Sequence, residues 1–282
     1  MIKNNRIIKF ISLIFLFFSL CAVYFYFPIK NNLTANASPF TRENAGLTLR
    51  ASFFTTYFSS CEERASNVAL ASSTINGTFL DVNEEFSFNK VVGDRTEKNG
   101  YKNAKIILGG KFVDGVGGGV CQVSTTLYNA VLLAGLRVTE YHPHTLQVSY
   151  VAPSFDAMVS SGSADLKFVN NTGSPLLIKC LAKNFKLTVE IYGEKMNEKY
   201  IRQSCVLEEL PAPLEEEVFV SSEEYPDLLI GEKRTIKYSK KGLKSQGSLI
   251  KVENGKIVWV KKIRTDIYNG VKGVTIIKKA EE

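Results

Sequence analysis

The sequence predicts an α+β fold, a mixed helix and antiparallel-strand domain carrying the candidate catalytic residues, followed by a small all-β C-terminal domain. Three observations carry this expectation. Residues 60–75 and 121–134 repeat apolar side chains at three- and four-residue spacing, as helices burying one face do. Helices and strands are not regularly interleaved, which argues against a doubly wound parallel sheet. The last sixty or so residues are rich in Val, Ile, Thr and Tyr and carry hairpin turns, with too few long apolar stretches for a large core.

The chain starts with Lys3, Arg6 and Lys9, then an uncharged run from Phe10 to Phe27, closed by Pro28 and Lys30. Eighteen uncharged residues lie near the lower limit for a membrane-spanning helix, and positive charge on the N-terminal flank keeps that end in the cytoplasm. Residues 1–30 therefore read as a single-pass signal anchor in the cytoplasmic membrane, with the rest of the chain extracytoplasmic. The alternative is a secreted protein cleaved near Ala35-Asn36-Ala37, but the run exceeds the usual signal core of about 7–15 residues. Residues 31–46 are polar and read as a linker, 47–195 as the main domain, 196–217 as an acidic, proline-bearing linker, and 218–282 as the small β domain.

The 35 basic and 28 acidic residues give a formal charge of +7; four basic and no acidic residues fall in 1–30, so the outer part carries only +3. That balance suits an anionic wall or membrane surface. No basic stripe or aromatic platform points to nucleic acid. Five cysteines are present: Cys21 lies in the apolar run, and of Cys61, Cys121, Cys180 and Cys205 at most one disulfide is expected, Cys180 with Cys205.

Within the main domain, Ser60 and Glu63 form a capping-box pattern ahead of Ala65, Val68, Ala71 and Ile75, with Gly77 as the stop. Residues 79–88 alternate, and Gly109-Gly110 between Ile106-Ile107-Leu108 and Lys111-Phe112-Val113 reads as a two-residue hairpin turn. The glycine run Gly117-Gly118-Gly119 then leads into a helix with Val123, Leu127, Ala130, Val131 and Ala134 on its buried face and Gly135 as its left-handed C-terminal stop. Residues 137–150 look β-like, two strand pairs follow over 165–192, and the tail carries turns at Lys241-Gly242 and Asn254-Gly255.

Cys121 thus stands at a glycine-led helix N-terminus, where unpaired N–H groups and the helix dipole favour thiolate over thiol. The only histidines, His142 and His144, follow about twenty residues later. A nucleophilic thiol needs a base to take its proton and an acid to protonate the leaving group, so Cys121, His142 and His144 are the candidate catalytic residues, and the choice between the histidines stays open. Gln122, Gly118, Gly119, Arg95, Ser124 and Tyr150 are candidates for oxyanion or substrate contacts, with Gln122 and the 121–122 amides the oxyanion donors and Arg95 a carboxylate clamp. Asp156, with Tyr150, is a weaker candidate for orienting an imidazole. Cys61 is a rival nucleophile disfavoured by Glu62 and Glu63. No metal or other cofactor is expected: Cys121, His142 and His144 could supply three zinc ligands, but no metal-binding spacing pattern accompanies them. Taken singly, each residue also has a plain structural reading, the glycines as a tight turn and the cysteine as a small buried hydrophobe.

Phe86-Ser87-Phe88-Asn89, Val92-Gly93-Asp94-Arg95-Thr96, Asn99-Gly100-Tyr101, the segment from Gly117 to Leu133, and His142-Pro143-His144-Thr145 with Val148-Ser149-Tyr150 together resemble the VanW domain, over about residues 50–193. Thr145 stands where many relatives have Ser. The tail loosely resembles a five-glycine (G-five) wall-binding module through Gly231, Gly242, Gly247, Gly255 and Gly273. The family takes its name from vancomycin resistance, and some members are understood to be cysteine L,D-transpeptidases of peptidoglycan. The resemblance implies that Cys121 attacks the third-residue carbonyl of a stem peptide, releases terminal D-alanine and passes the acyl group to an amine, giving a 3-3 cross-link. Peptidoglycan stem peptides are then the partner. Hydrolysis by the same residues and non-catalytic wall binding are the alternatives.

Overall fold

The computed structural model describes residues 46–58, 60–221 and 223–279, so the expected anchor, Cys21 and nearly all of the first linker lie outside the described residues. The expected α+β class does not hold. Strands account for 47% of residues against 16% in helices, and the chain is a mostly β protein of several antiparallel sheets. The expectation failed because open strands with one wet face leave a weak periodic trace, and their pairing partners lie far away in sequence.

A four-stranded antiparallel sheet is ordered β1 (Thr48–Thr56), β9 (Lys186–Gly193), β8 (Leu176–Lys183), β2 (Thr78–Leu80). A second joins β3 (Glu85–Ser87), β7 (Lys167–Val169) and β6 (Arg137–Glu140). The hairpin β4 (Asn103–Leu108) and β5 (Lys111–Val116) turns on Gly109 and Gly110, with φ of 56° and 74°, the backbone a tight two-residue turn requires. Three α-helices are present among the described residues: α1 (Glu62–Ile75), α2 (Phe88–Val92) and α3 (Val120–Leu133). The capping box before α1 does not form. Cys61 is the N-cap without a side-chain bond, and Ser60 Oγ accepts instead from Arg64 Nη1 at 2.6 Å.

Helix α3 is the centre of the core: Val123, Leu127, Ala130 and Val131 are fully buried, and the helix packs against β1, β9 and β10 (Lys199–Leu210). It ends as expected. Gly135 has φ 72°, its N–H donates to the Leu132 carbonyl and that of Leu136 to the Val131 carbonyl, which closes the last turn in a Schellman arrangement.

The tail departs further from expectation. Residues 199–210, read as part of a linker, form strand β10 (Lys199–Leu210), which pairs with β13 (Gly242–Glu253), itself paired with β14 (Lys256–Tyr268) across the Asn254-Gly255 turn. Gly242 opens β13 rather than forming a turn. The remaining strands, β11 (Glu216–Val220), β15 (Val274–Lys278) and β12 (Lys233–Lys237), make a small mixed sheet around Val220, Leu228 and Ile276. No disulfide joins Cys180 to Cys205: both are free thiols, the first buried on β8 and the second exposed on β10. Among the described residues no helix is long and apolar enough to cross a membrane.

Candidate active site

The glycine run is shaped by the protein's own packing. Gly117 and Gly119 have φ of 84° and 109°, and a Cβ on Gly118 would come within 2.8 Å of the Ala104 backbone. Buried Asn67 of α1 clamps the turn, donating to the Gly118 and Lys102 carbonyls at 3.0 and 2.9 Å while its own carbonyl accepts from Lys102 N–H at 2.8 Å. Gly118 and Gly119 therefore let the turn fit between α1 and β4. The result is a rigid entry into α3 that sets Cys121 in its first turn, half-buried.

Polar residues of α3 hold the second wall of the site. Thr125 Oγ1 accepts from the Ala157 N–H at 2.9 Å, Ser124 Oγ donates to the Ala157 carbonyl at 2.6 Å, and Asn129 Nδ2 donates to the Phe155 carbonyl at 2.8 Å. These bonds fix the irregular segment around Asp156 against the helix. Ser124 is fully buried and spent on this task, so it is a scaffold residue rather than a substrate contact. Gln122 likewise: its side-chain amide donates to Thr55 Oγ1 and the Thr56 carbonyl at 2.8 and 3.0 Å and accepts from Arg64 Nη2 at 2.7 Å. Its backbone N–H donates to the Gly119 carbonyl, so Gln122 supplies no oxyanion donor; the Cys121 amide, by contrast, makes no hydrogen bond to the described residues.

β6 ends at Glu140, and the two histidines that follow on either side of Pro143 take different partners. His142 is partly exposed, its Nε2 3.0 Å from Glu140 Oε1, and Glu140 also binds Lys167 Nζ at 2.8 Å. His144 is 4% exposed and close enough to Cys121 for each to shift the other's titration, its Nδ1 lies 2.7 Å from Asp156 Oδ2, and the Cys121 thiol donates to the Val159 carbonyl at 3.4 Å. An ionised carboxylate only accepts, so Nδ1 carries the proton it donates and Nε2 faces the sulfur. The structure therefore brings Cys121, His144 and Asp156 into one line and leaves His142 outside it.

Burial pushes the Cys121 thiol up, but the hydrogen bond and charge of His144, with smaller help from the Val159 backbone and Arg95, outweigh it and bring the thiol below its ordinary range. Burial pushes His144 down, and its bonds to Asp156 and Cys121 overcome that and raise it to about 9. Asp156 is pushed up by burial and held low by His144 and Arg264. The two shifts act together, both favouring a thiolate beside an imidazolium.

Tyr150 and Arg95 are brought to the site. Burial and the charge on Cys121 push the Tyr150 phenol far up, with Thr125 acting weakly against them. Arg95 lies close enough to Cys121 to feel its charge, stacked 5.8 Å over the Phe88 ring, with Nη1 donating to Ser161 Oγ at 3.0 Å and Nη2 to Asn89 Oδ1 at 2.5 Å. It is not spent on an ion pair with Asp94. Exposed Cys61 lies on α1 and has no histidine beside it.

Two residues escaped the sequence reading. Arg264 Nη2 donates to Asp156 Oδ1 at 2.6 Å and Nη1 to the Asp156 carbonyl at 2.7 Å, and the Tyr268 hydroxyl donates to the same Oδ1. A trace of them exists in the sequence: in β14 the usual alternation is inverted, with Arg264, Asp266 and Tyr268 facing inward and Ile267 outward.

Residues 63–192 match the family model described as VanW like protein. The chain is 42% identical over 151 residues to the uncharacterized protein YoaR of Bacillus subtilis (strain 168), covering 53% of this chain and 50% of that protein. It is 28% identical over 140 residues to the vancomycin B-type resistance protein VanW of Enterococcus faecalis (strain ATCC 700802 / V583), covering 48% of this chain and 50% of that protein. The chain spans about half the length of the curated relatives it matches. Among solved structures it is similar to HP0197-G5, at 15% identity and a TM-score of 0.15 over 29% of this chain and 99% of that one. The IgA1 protease G5 domain is similar at 16% identity and a TM-score of 0.17, over 30% of this chain and 96% of that one. Likeness at this level bears on neither fold nor function.

Proposed function

From the premise that residues 63–192 form a VanW-like domain, we propose that this protein is a peptidoglycan-modifying cysteine acyltransferase, an L,D-transpeptidase that works outside the cytoplasmic membrane on stem peptides. The observation that carries the proposal is the line Cys121, His144, Asp156 at the tip of a buried helix. Such an arrangement has the parts acyl transfer needs: an activated nucleophile, a general acid and base, and a group that orients it.

In this reading the Cys121 thiolate attacks the carbonyl carbon of the third stem residue, and the tetrahedral oxyanion is met by the Cys121 N–H and the positive end of α3. Collapse breaks the peptide bond to D-alanine, whose nitrogen takes the proton from His144 Nε2. An acceptor amine then loses its proton to His144 as it attacks the thioester, and Cys121 leaves as thiolate. Arg95 and Tyr150, at the rim of the thiol, are placed to bind the stem peptide. The N-terminal apolar run would hold the domain at the membrane face where these substrates lie.

Incubating the protein, wild type and Cys121→Ala, with purified disaccharide-tetrapeptides and reading products by mass spectrometry tests this. Dimers lacking one D-alanine, formed only by the wild type, are expected. Shortened monomers would make it a hydrolase using the same residues, and no product from a folded wild-type protein would leave a wall-binding role.

A further inference from the structure

We infer that Arg264, on strand β14 of the C-terminal sheet, is a positioning residue for the proposed acyl transfer, and that this sheet is a working part of the active site. The inference rests on the reading of Cys121, His144 and Asp156 given above.

Asp156 is 1% exposed and accepts from four donors. Oδ2 takes the His144 N–H at 2.6 Å and Nδ1 at 2.7 Å, and Oδ1 takes Arg264 Nη2 at 2.6 Å and the Tyr268 hydroxyl. Two of the four come from β14. Arg264 also donates through Nη1 to the Asp156 carbonyl and through Nε to Asp266 Oδ2 at 2.5 Å, so it fixes both the side chain and the backbone of the residue that aims His144. The surrounding loop leans on the same sheet. The Tyr268 hydroxyl accepts from the Ser154 N–H at 2.8 Å, Ser154 Oγ lies 2.7 Å from Ser245 Oγ, Ser204 Oγ donates to the Pro153 carbonyl at 2.8 Å, and Asn269 N–H donates to the Thr145 carbonyl at 2.8 Å. Gly247 of β13 lacks a Cβ where one would stand 2.7 Å from the Ser154 carbonyl oxygen.

Charge explains why the site needs this cation. Asp156 and Asp266 are both buried carboxylates, and Arg264 is the cation bonded to both. Without it Asp156 keeps His144 as its one charged partner, and burial then shifts its carboxyl toward the protonated form. A protonated Asp156 no longer holds His144 as an imidazolium, and Cys121 loses the cation that keeps it a thiolate. The catalytic dyad of one part of the chain is thus poised by a residue 108 positions away from Asp156 in sequence.

The test follows the pH profile of Cys121 alkylation by iodoacetamide in the full chain solubilised in detergent, read on the Cys121 peptide by mass spectrometry. Variants are Arg264→Met/Asp266→Asn, which removes the cation without stranding Asp266, Tyr268→Phe, which removes a single donor, and Arg264→Lys. The wild type should alkylate through a midpoint below that of an ordinary thiol. In the double variant the rate at neutral pH should fall at least about tenfold, a midpoint shift of about one pH unit, with a smaller fall in Tyr268→Phe and partial recovery in Arg264→Lys. If the double variant does not fold, the Tyr268→Phe profile decides. Variant profiles that superimpose on a low wild-type midpoint overturn the positioning role alone. A wild-type midpoint in the ordinary thiol range overturns the underlying thiolate reading, and this inference with it.

Discussion

Between pH 6.5 and 9 the folding free energy of a Cys121→Ala variant should fall more steeply than that of the wild-type protein. His144 is held at about 9 against an ordinary 6.5, and Cys121 below its ordinary 9.0. A base with a raised folded pKa contributes its stability in full below the unfolded value and loses it as pH climbs through the folded value. An acid with a depressed folded pKa contributes in full above the unfolded value and loses it as pH falls through the folded one. Across this window the His144 contribution fades while that of Cys121 grows. A thiolate–imidazolium pair carries its proton on the imidazole where the unfolded pair carries it on the thiol, so the two contributions oppose each other and flatten the slope. The rise of His144 from 6.5 to about 9 corresponds to about 3 kcal/mol, at 1.36 kcal/mol for each tenfold change in proton affinity. Asp156 and Cys121 share in producing it, so the alanine variant, left with Asp156 alone, should lose roughly 1–2 kcal/mol between the two ends of the window. Urea denaturation of both proteins across this range measures the effect, and the difference between the curves removes every titrating group they have in common. Parallel curves would refute the thiolate–imidazolium pair.

Asp156→Asn places an amide among four donors, so one side faces donors whichever way it turns, and transfer should slow by about 10²-fold or more, the usual worth of a positioned acid–base group; steady-state rates on disaccharide-tetrapeptides check this, and a folded variant within twofold of wild type contradicts it. His142→Gln should leave that rate nearly unchanged, because the ring pairs with Glu140 at the surface. Gln122→Ala removes three hydrogen bonds from a buried amide, about 3 kcal/mol at roughly 1 kcal/mol each, and should lower the melting temperature by about 6–12 °C. A Gln122→Ala protein that melts normally but no longer transfers would return this residue to the oxyanion hole.

Much of the nucleophile's setting was legible in the sequence because it is local. The glycine run, the apolar spacing of α3, Gly135 as its stop and the Gly109-Gly110 turn are all chain-neighbour effects, decided by φ preferences and a 3.6-residue period. The count of two histidines also confined any Cys–His chemistry to His142 or His144. Several inferences drawn one step beyond that failed. Gln122 and Ser124 looked like site residues because they flank Cys121, yet neighbouring positions on a buried helix point into packed protein, where their polar groups must find internal partners.

What only the tertiary structure decided are the relations between distant segments. It set His142 against Glu140 at the surface and His144 against Asp156 in the interior, near Cys121. It bonded Asp156 to His144 and brought Arg264 and Tyr268 onto the same carboxylate from a tail that showed no chemistry by itself. It replaced the expected α+β class with a mostly β fold and the expected linker with β10. The physical reason is common to all of these. Helix periods, turn residues and flanking charge are set by residues a few positions apart, whereas strand pairing and buried charge networks join residues scores of positions apart and leave in each segment only a fragment of the pattern.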